Sequence, residues 1–140
     1  CWASSNGEIG VKIRGSSASV VDGVTINMRI LNNGLQGIRL LGGPTTFKNI
    51  QIEGGAVLSN NQNQASVSGI QVDGGISGFT IQGVTVGASS LFTNYQTNGI
   101  RVFAGASDDY MITGNKLSGN VSTGLNDGGT GTNKVVANNL

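Results

Sequence analysis

The sequence contains no histidine, one cysteine and one proline in 140 residues. Without imidazole, any mechanism or metal centre that depends on histidine is excluded. A lone thiol, Cys1, can form neither an internal disulfide nor a thiolate metal site. Charge is scarce as well: eight Lys and Arg face seven Asp and Glu, 11% of the chain, for a formal charge of +1. That leaves no electrostatic footprint for nucleic acid or an anionic membrane surface. No apolar run approaches the roughly 20 residues of a membrane span, so membrane insertion is not expected. No metal site and no cofactor motif is legible. Helical periodicity, with apolar residues at i, i+3, i+4 and i+7, is also missing. The chain opens Cys1-Trp2 without an initiator methionine and stops at Leu140 in mid-pattern, so a section of a longer chain is expected.

What is abundant is glycine, with 24 residues; with proline, serine and glutamine it makes up about a third of the chain. An aperiodic sequence above roughly 25–30% in these residues reads as disordered. Leu, Ile, Val and Phe supply 38 residues, about 27%, which exceeds the roughly 20% below which no core forms. Whether the glycines recur decides between the two readings.

They do recur. Glycine followed by an apolar, polar, apolar triplet occurs at Gly10-Val11-Lys12-Ile13, Gly37-Ile38-Arg39-Leu40, Gly69-Ile70-Gln71-Val72 and Gly99-Ile100-Arg101-Val102, with a looser copy at Gly124-Leu125-Asn126-Asp127. The intervals are 27, 32, 30 and 25 residues, an internal repeat with insertions. A second element, Val21-Asp22-Gly23-Val24-Thr25-Ile26, matches Ile81-Gln82-Gly83-Val84-Thr85-Val86, with relatives starting at Phe47, Ile112 and Val135. Asparagine precedes each next anchor, at Asn33, Asn60 or Asn61, Asn94 and Asn120. Because Asn tolerates left-handed backbone and bonds its own turn, this predicts a recurrent turn.

Each repeat therefore holds several short Val/Ile/Thr-rich strands between Gly and Asn turns. One such unit cannot bury its own apolar face, whereas a stack can, and the expected architecture is an all-β solenoid of about five rungs in one domain, 1–140, with rungs starting near 10, 37, 69, 99 and 124. Its interior column would be Val11, Ile38, Ile70, Ile100 and Leu125, beside Ile13, Leu40, Val72 and Val102.

These repeats resemble the right-handed parallel β-helix of the pectin-lyase-like superfamily. The run from Gly124 to Asn139 is similar to late rungs of phage tailspike and glycoside-hydrolase-28-related proteins. The resemblance implies a homotrimer on a virion tail that binds, and in many cases depolymerises, a bacterial surface polysaccharide. The alternatives are a non-catalytic shaft or receptor-binding segment of a tail fibre, and a secreted or cell-surface bacterial adhesin. The polygalacturonase motifs Asn-Thr-Asp, Asp-Asp, Gly-His-Gly and Arg-Ile-Lys are not reproduced as a set: there is no His, and the string Lys12-Ile13-Arg14 is only similar to the last of them. The His-containing motif of alginate epimerases is absent too. If the chain is an enzyme, it is expected to be a polysaccharide hydrolase or lyase.

Two carboxylates are what a glycosidase requires. Aligned on their Gly-Gly turns, Leu41, Asp73 and Asp127 fall at equivalent places, which would set the two acids two rungs, about 9–10 Å, apart. An inverting enzyme needs about 6.5–9.5 Å. However, Asp73 is the fifth residue of its repeat and Asp127 the fourth, and a one-residue difference changes the face. Glu53, opening an insertion over 53–68, is a third candidate. The outward column of the first strand, Lys12, Arg39, Gln71, Arg101 and Asn126, could track an extended acidic glycan. Asp108 and Asp109 beside Tyr110 could make a calcium or sugar contact; the alternative is that paired Asp in a polar loop is a solvated turn. Phe47, Phe79 and Phe103 are expected inside, whereas Trp2, Phe92, Tyr95 and Tyr110 are candidates for sugar-stacking faces.

Overall fold

The structure, a computed structural model, describes residues 1–15, 19–42 and 47–140. Among them are sixteen strands and no helix. Strand β1 (Trp2–Ser4) precedes a first turn of β2 (Val11–Arg14), β3 (Val21–Asp22), β4 (Thr25–Ile26) and β5 (Arg29–Leu31). The second turn is β6 (Ile38–Leu41), β7 (Phe47–Lys48), β8 (Ile50–Glu53) and β9 (Ala56–Leu58). The third is β10 (Ile70–Val72), β11 (Phe79–Gln82) and β12 (Thr85–Gly87). The fourth has β13 (Asn98–Gly105) and β14 (Tyr110–Thr113), with Lys116 bridging to Thr85, and the fifth has β15 (Thr123–Gly129) and β16 (Lys134–Ala137).

Every strand pairs in parallel with its counterpart one turn away. Three sheets result: sheet I (β2-β6-β10-β13-β15), sheet II (β4-β8-β11-β14-β16) and sheet III (β1-β5-β9-β12), with a two-stranded ribbon β3-β7 at the corner before sheet II. This is a parallel β-solenoid of about five turns, as the repeat predicts. Val11, Ile38, Ile70, Ile100 and Leu125 are in register, as are Ile13, Leu40, Val72 and Val102. Ile38, Ile70 and Ile100 are 1%, 0% and 0% exposed, so the column is the core of the stack. Phe79 and Tyr110 continue the packing at the next corner, with ring centroids 4.7 Å apart and nearly parallel planes.

The bends repeat as faithfully as the strands. Just before sheet II, Gly23, Asn49, Gly78 and Asp109 all have φ between 51° and 70°; just after it, Gly54, Gly83, Gly114 and Asn138 have φ between 54° and 64°. A left-handed residue redirects the chain at each of these bends, with Gly55 a second one beside Gly54, and Gly, Asn and Asp adopt that conformation at least cost. The anchor glycines serve a different need. Gly10, Gly37, Gly69 and Gly99 have no left-handed φ, but a Cβ on any of them would run into the amides of the facing turn, such as Asn60 Nδ2 at Gly37 and Asn120 Nδ2 at Gly99.

Those amides form a buried ladder. Asn33 Nδ2 donates to Asn60 Oδ1 (2.8 Å), Asn60 Nδ2 to Gln96 Oε1 (3.0 Å) and Gln96 Nε2 to Asn120 Oδ1 (3.0 Å). The third place expected for Asn94 belongs to Gln96; Asn94 instead shapes the loop, its Oδ1 accepting the Gln96 N–H. The longer glutamine reaches the ladder from two residues further on.

The six-residue elements also need realignment. Ile81 stacks on Ile52 rather than Phe47, and Ile112 on Val136 rather than Val135. Apolar residues at the first and sixth positions bracket the bend before sheet II in Val21–Ile26 and the bend after it in Ile81–Val86, so one pattern marks two corners.

Candidate functional site

The outer face of sheet I brings one set of the proposed binding residues together. Lys12, Arg39, Gln71, Arg101 and Asn126 are consecutive in-register partners. At the ordinary strand spacing this column is about 19 Å long. Lys12 and Asn126 are exposed, and Arg39 and Arg101 half-buried. Arg39 reaches along the stack to Asp73 with two prongs, Nε to Oδ1 at 3.3 Å and Nη2 to Oδ2 at 3.2 Å. The Arg101 guanidinium lies 4.1 Å over the Phe103 ring. Phe103, expected inside, therefore sits on the outer face, because it follows the inward Val102 and strand side chains alternate. Lys12, Arg14 and Arg101 have no carboxylate partner among the described residues.

Beside this column runs a buried polar seam that sequence reading did not single out. Gln71 is 5% exposed, and its Oε1 accepts from Gln36 Nε2 at 3.0 Å. Ser68 donates to Asn98 Oδ1 (3.5 Å), and Asn98 Nδ2 to Thr123 Oγ1 (2.8 Å). Gln36 is 2% exposed and its Oε1 has no hydrogen-bond partner among the described residues. An unmade bond to such an acceptor costs about 1–3 kcal/mol. The one available signal was position: Gln36, Ser68, Asn98 and Thr123 each precede an anchor glycine.

The proposed catalytic carboxylates do not converge. Asp73 lies on the outer face, just past Val72, and is held by Arg39. Asp127 pairs with Val102, in the column of Ile13, Leu40 and Val72, and so belongs to the inward row. Alignment on Gly-Gly turns fails because the register between β13 and β15 shifts after Val102. Gly43, in the turn after Leu41, lies outside the described residues. A one-residue offset puts the two acids on opposite faces. Glu53 ends β8 in sheet II, in register with Gln82, away from both.

At the fifth turn Asp127 meets two inward neighbours from sheet II. Its Oδ1 accepts the Tyr110 hydroxyl at 2.7 Å and the Gly129 N–H at 3.1 Å, while its Oδ2 accepts Lys134 Nζ at 2.8 Å. Lys134 follows Ile50, Phe79 and Tyr110 in one row of partners. Burial pushes the Tyr110 hydroxyl up to about 12, and the bond to Asp127 adds to it. Burial alone would raise the Asp127 carboxyl; its bonds from Lys134, Tyr110 and Gly129 and the Lys134 charge outweigh that and hold it below the ordinary range. The bond to Asp127 raises the Lys134 ammonium. All three therefore keep their neutral-pH protonation states firmly, which suits a structural cluster and not a proton shuttle.

Tyr110 is only 4% exposed, so it is not a sugar platform; its ring is spent on Phe79. Asp108 accepts the Asn133 backbone N–H at 2.7 Å and Asn133 Nδ2 at 3.2 Å, tying adjacent turns. Asp109 is the left-handed residue of its bend, φ 51°. Both read as turn chemistry. Tyr95 is half-buried in the loop before β13, where its carbonyl accepts from Asn61 Nδ2 at 2.7 Å, and Trp2 and Phe92 are exposed at 69% and 39%. A groove of about 640 Å³ also follows the outer face of sheet II past Gln51, Thr80 and Met111, with Lys48 and Asp109 as its charges. Among the described residues no three acidic or thiol side chains gather as a metal site.

Fold and site together define a parallel β-helix with a basic and amide-lined strip on one sheet. No family model matches the sequence, nor does any curated protein. A similar solved structure is the A-module of the mannuronan C-5 epimerase AlgE6 of Azotobacter vinelandii, with a TM-score of 0.74 and 19% identity, covering 99% of this chain and 35% of that one. The likeness establishes the fold, and this chain spans about a third of that protein's length.

Proposed function

We propose that this chain forms the binding face of a pectin-lyase-like β-helix of tailspike type, which holds an extended acidic polysaccharide along sheet I. The observation that carries the reading is the in-register column Lys12, Arg39, Gln71, Arg101 and Asn126. An extended glycan running across the strands meets a cation or an amide at every turn, and guanidinium forks suit carboxylates and hydroxyls. The similar solved structure belongs to an enzyme named for mannuronan, a polymer of uronic acid, which supports an acidic ligand over a neutral one. A bacterial surface polysaccharide bound by a homotrimer on a virion tail is the setting proposed here, with secretion or a bacterial cell surface as the alternative.

Binding is favoured over depolymerisation because Asp73 is engaged by Arg39 and Asp127 by Lys134, so neither is a free acid or base. The test is the affinity of the chain for mannuronan against neutral dextran, as a function of salt. Mannuronan is expected to bind more tightly, and replacing both Lys12 and Arg101 with Ala to weaken it about tenfold or more. Equal affinity for the two glycans, or no effect of the double substitution, rejects the reading. Reducing ends released by the intact protein would restore a hydrolase.

A further inference from the structure

Resting on that binding reading, we infer that Gln36 and Gln71 form a hydroxyl-reading subsite midway along the strip, which selects a sugar over a mere polyanion. Gln71 stands between Arg39 and Arg101 in the outward column. Its amide is met from the side by Gln36 Nε2, and Gln36 Oε1 is buried without a partner among the described residues. Gln71 is the one residue of the column's inner three that is not a cation, and the buried acceptor brought beside it belongs to Gln36, which precedes the anchor glycine of the turn before. Among the described residues the Gln36 side chain has a single hydrogen bond, the one to Gln71. A ligand that bonds the Gln71 amide frees Gln36 to turn, and a ligand hydroxyl then donates to the vacant oxygen. Of the two flanking guanidinium groups Arg39 is held by Asp73, and Arg101 is the one that reads a ligand carboxylate, which any polyanion supplies; an acceptor needs a donor, which a uronic acid polymer has in its hydroxyls and polyglutamate side chains lack. Charge attraction and hydroxyl reading thus come from different residues of one face.

The experiment compares the chain with Gln36→Met, which keeps the length and removes the amide. Affinities for mannuronan and for poly-L-glutamate are measured side by side, and the side-chain amide resonances of Gln36 and Gln71 are followed as short mannuronan oligomers are added. The variant is expected to lose about tenfold in mannuronan affinity and to keep its affinity for polyglutamate; both amide resonances of the unsubstituted chain shift. Equal mannuronan affinity with and without the substitution, a parallel loss for both polymers, or unmoved amide resonances overturns the subsite while leaving the strip intact. Failure of the unsubstituted chain to prefer mannuronan over dextran sinks the strip and the subsite together.

Discussion

The third and fifth turns use the same two inward positions in opposite ways. In the third, Val72 and Phe79 are 0% and 2% exposed and meet aliphatic and aromatic neighbours above and below. In the fifth, the corresponding positions are Asp127 and Lys134, joined at 2.8 Å and completed by the Tyr110 hydroxyl. The side chains of Asp127 and Lys134 are 17% and 28% exposed, so water offsets part of the cost of charging this layer. A position in the repeat therefore fixes where a side chain points, while the layer it occupies decides whether a charge is tolerated there.

The sharpest way to break this comparison is to move the charge. Val72→Asp sets a carboxylate between Leu40 and Val102 with no cation in its row, at a cost of several kcal/mol, on the order of the stability of a whole domain. Loss of the β-sheet circular dichroism signal is expected at room temperature; a folded variant would show that the stack interior is wetter than its burial implies.

A smaller effect is expected at the fifth turn. Asp127→Ala leaves Tyr110 and Lys134 without their shared acceptor and costs about 1–3 kcal/mol in urea unfolding. Replacing both charges, Asp127→Val with Lys134→Met, should recover most of that loss, since a packed apolar pair equals or exceeds a partly buried ion pair. If the double variant is as weak as the single, the cluster does more than satisfy its own charges.

The smallest effect is the pH dependence carried by this cluster. The depressed Asp127 carboxyl contributes stability that is present above its ordinary value of 3.8 and is lost as pH falls through the lower folded value. Tyr110, raised from 10.0 to about 12, and Lys134, raised from 10.5, contribute stability that is fully present below those ordinary values and is lost as pH rises through the folded ones. The melting temperature should therefore fall in strong acid and again above about pH 10, and Asp127→Asn should flatten both limbs. Parallel profiles for the two proteins would remove Asp127 from the account.

Much of the architecture was legible because repetition is a long-range signal written locally. Gly10, Gly37, Gly69 and Gly99 with their apolar triplets set the inward and outward columns correctly, since alternation has a period of two and each strand is too short to drift. The amide ladder was half legible: Asn33, Asn60 and Asn120 take their places, but Gln96 displaces Asn94, because a loop of different length can deliver a longer amide to the same point. Tyr110 was misjudged because an aromatic beside two acids has the same local sequence whether it faces water or stacks on the ring one turn below.

The sequence by itself determined a stack of short parallel strands, the glycines that let the turns close over the amide ladder, and the basic and amide column on sheet I. Only the tertiary structure decided that Asp73 and Asp127 face opposite ways, that Lys134 closes the row of Ile50, Phe79 and Tyr110, and that Gln36 carries a buried oxygen with no partner among the described residues. The physical reason is that a repeat fixes the average path of the chain, whereas a one-residue shift in register or a side chain reaching to the next turn exchanges inside for outside without altering the pattern that announces the fold.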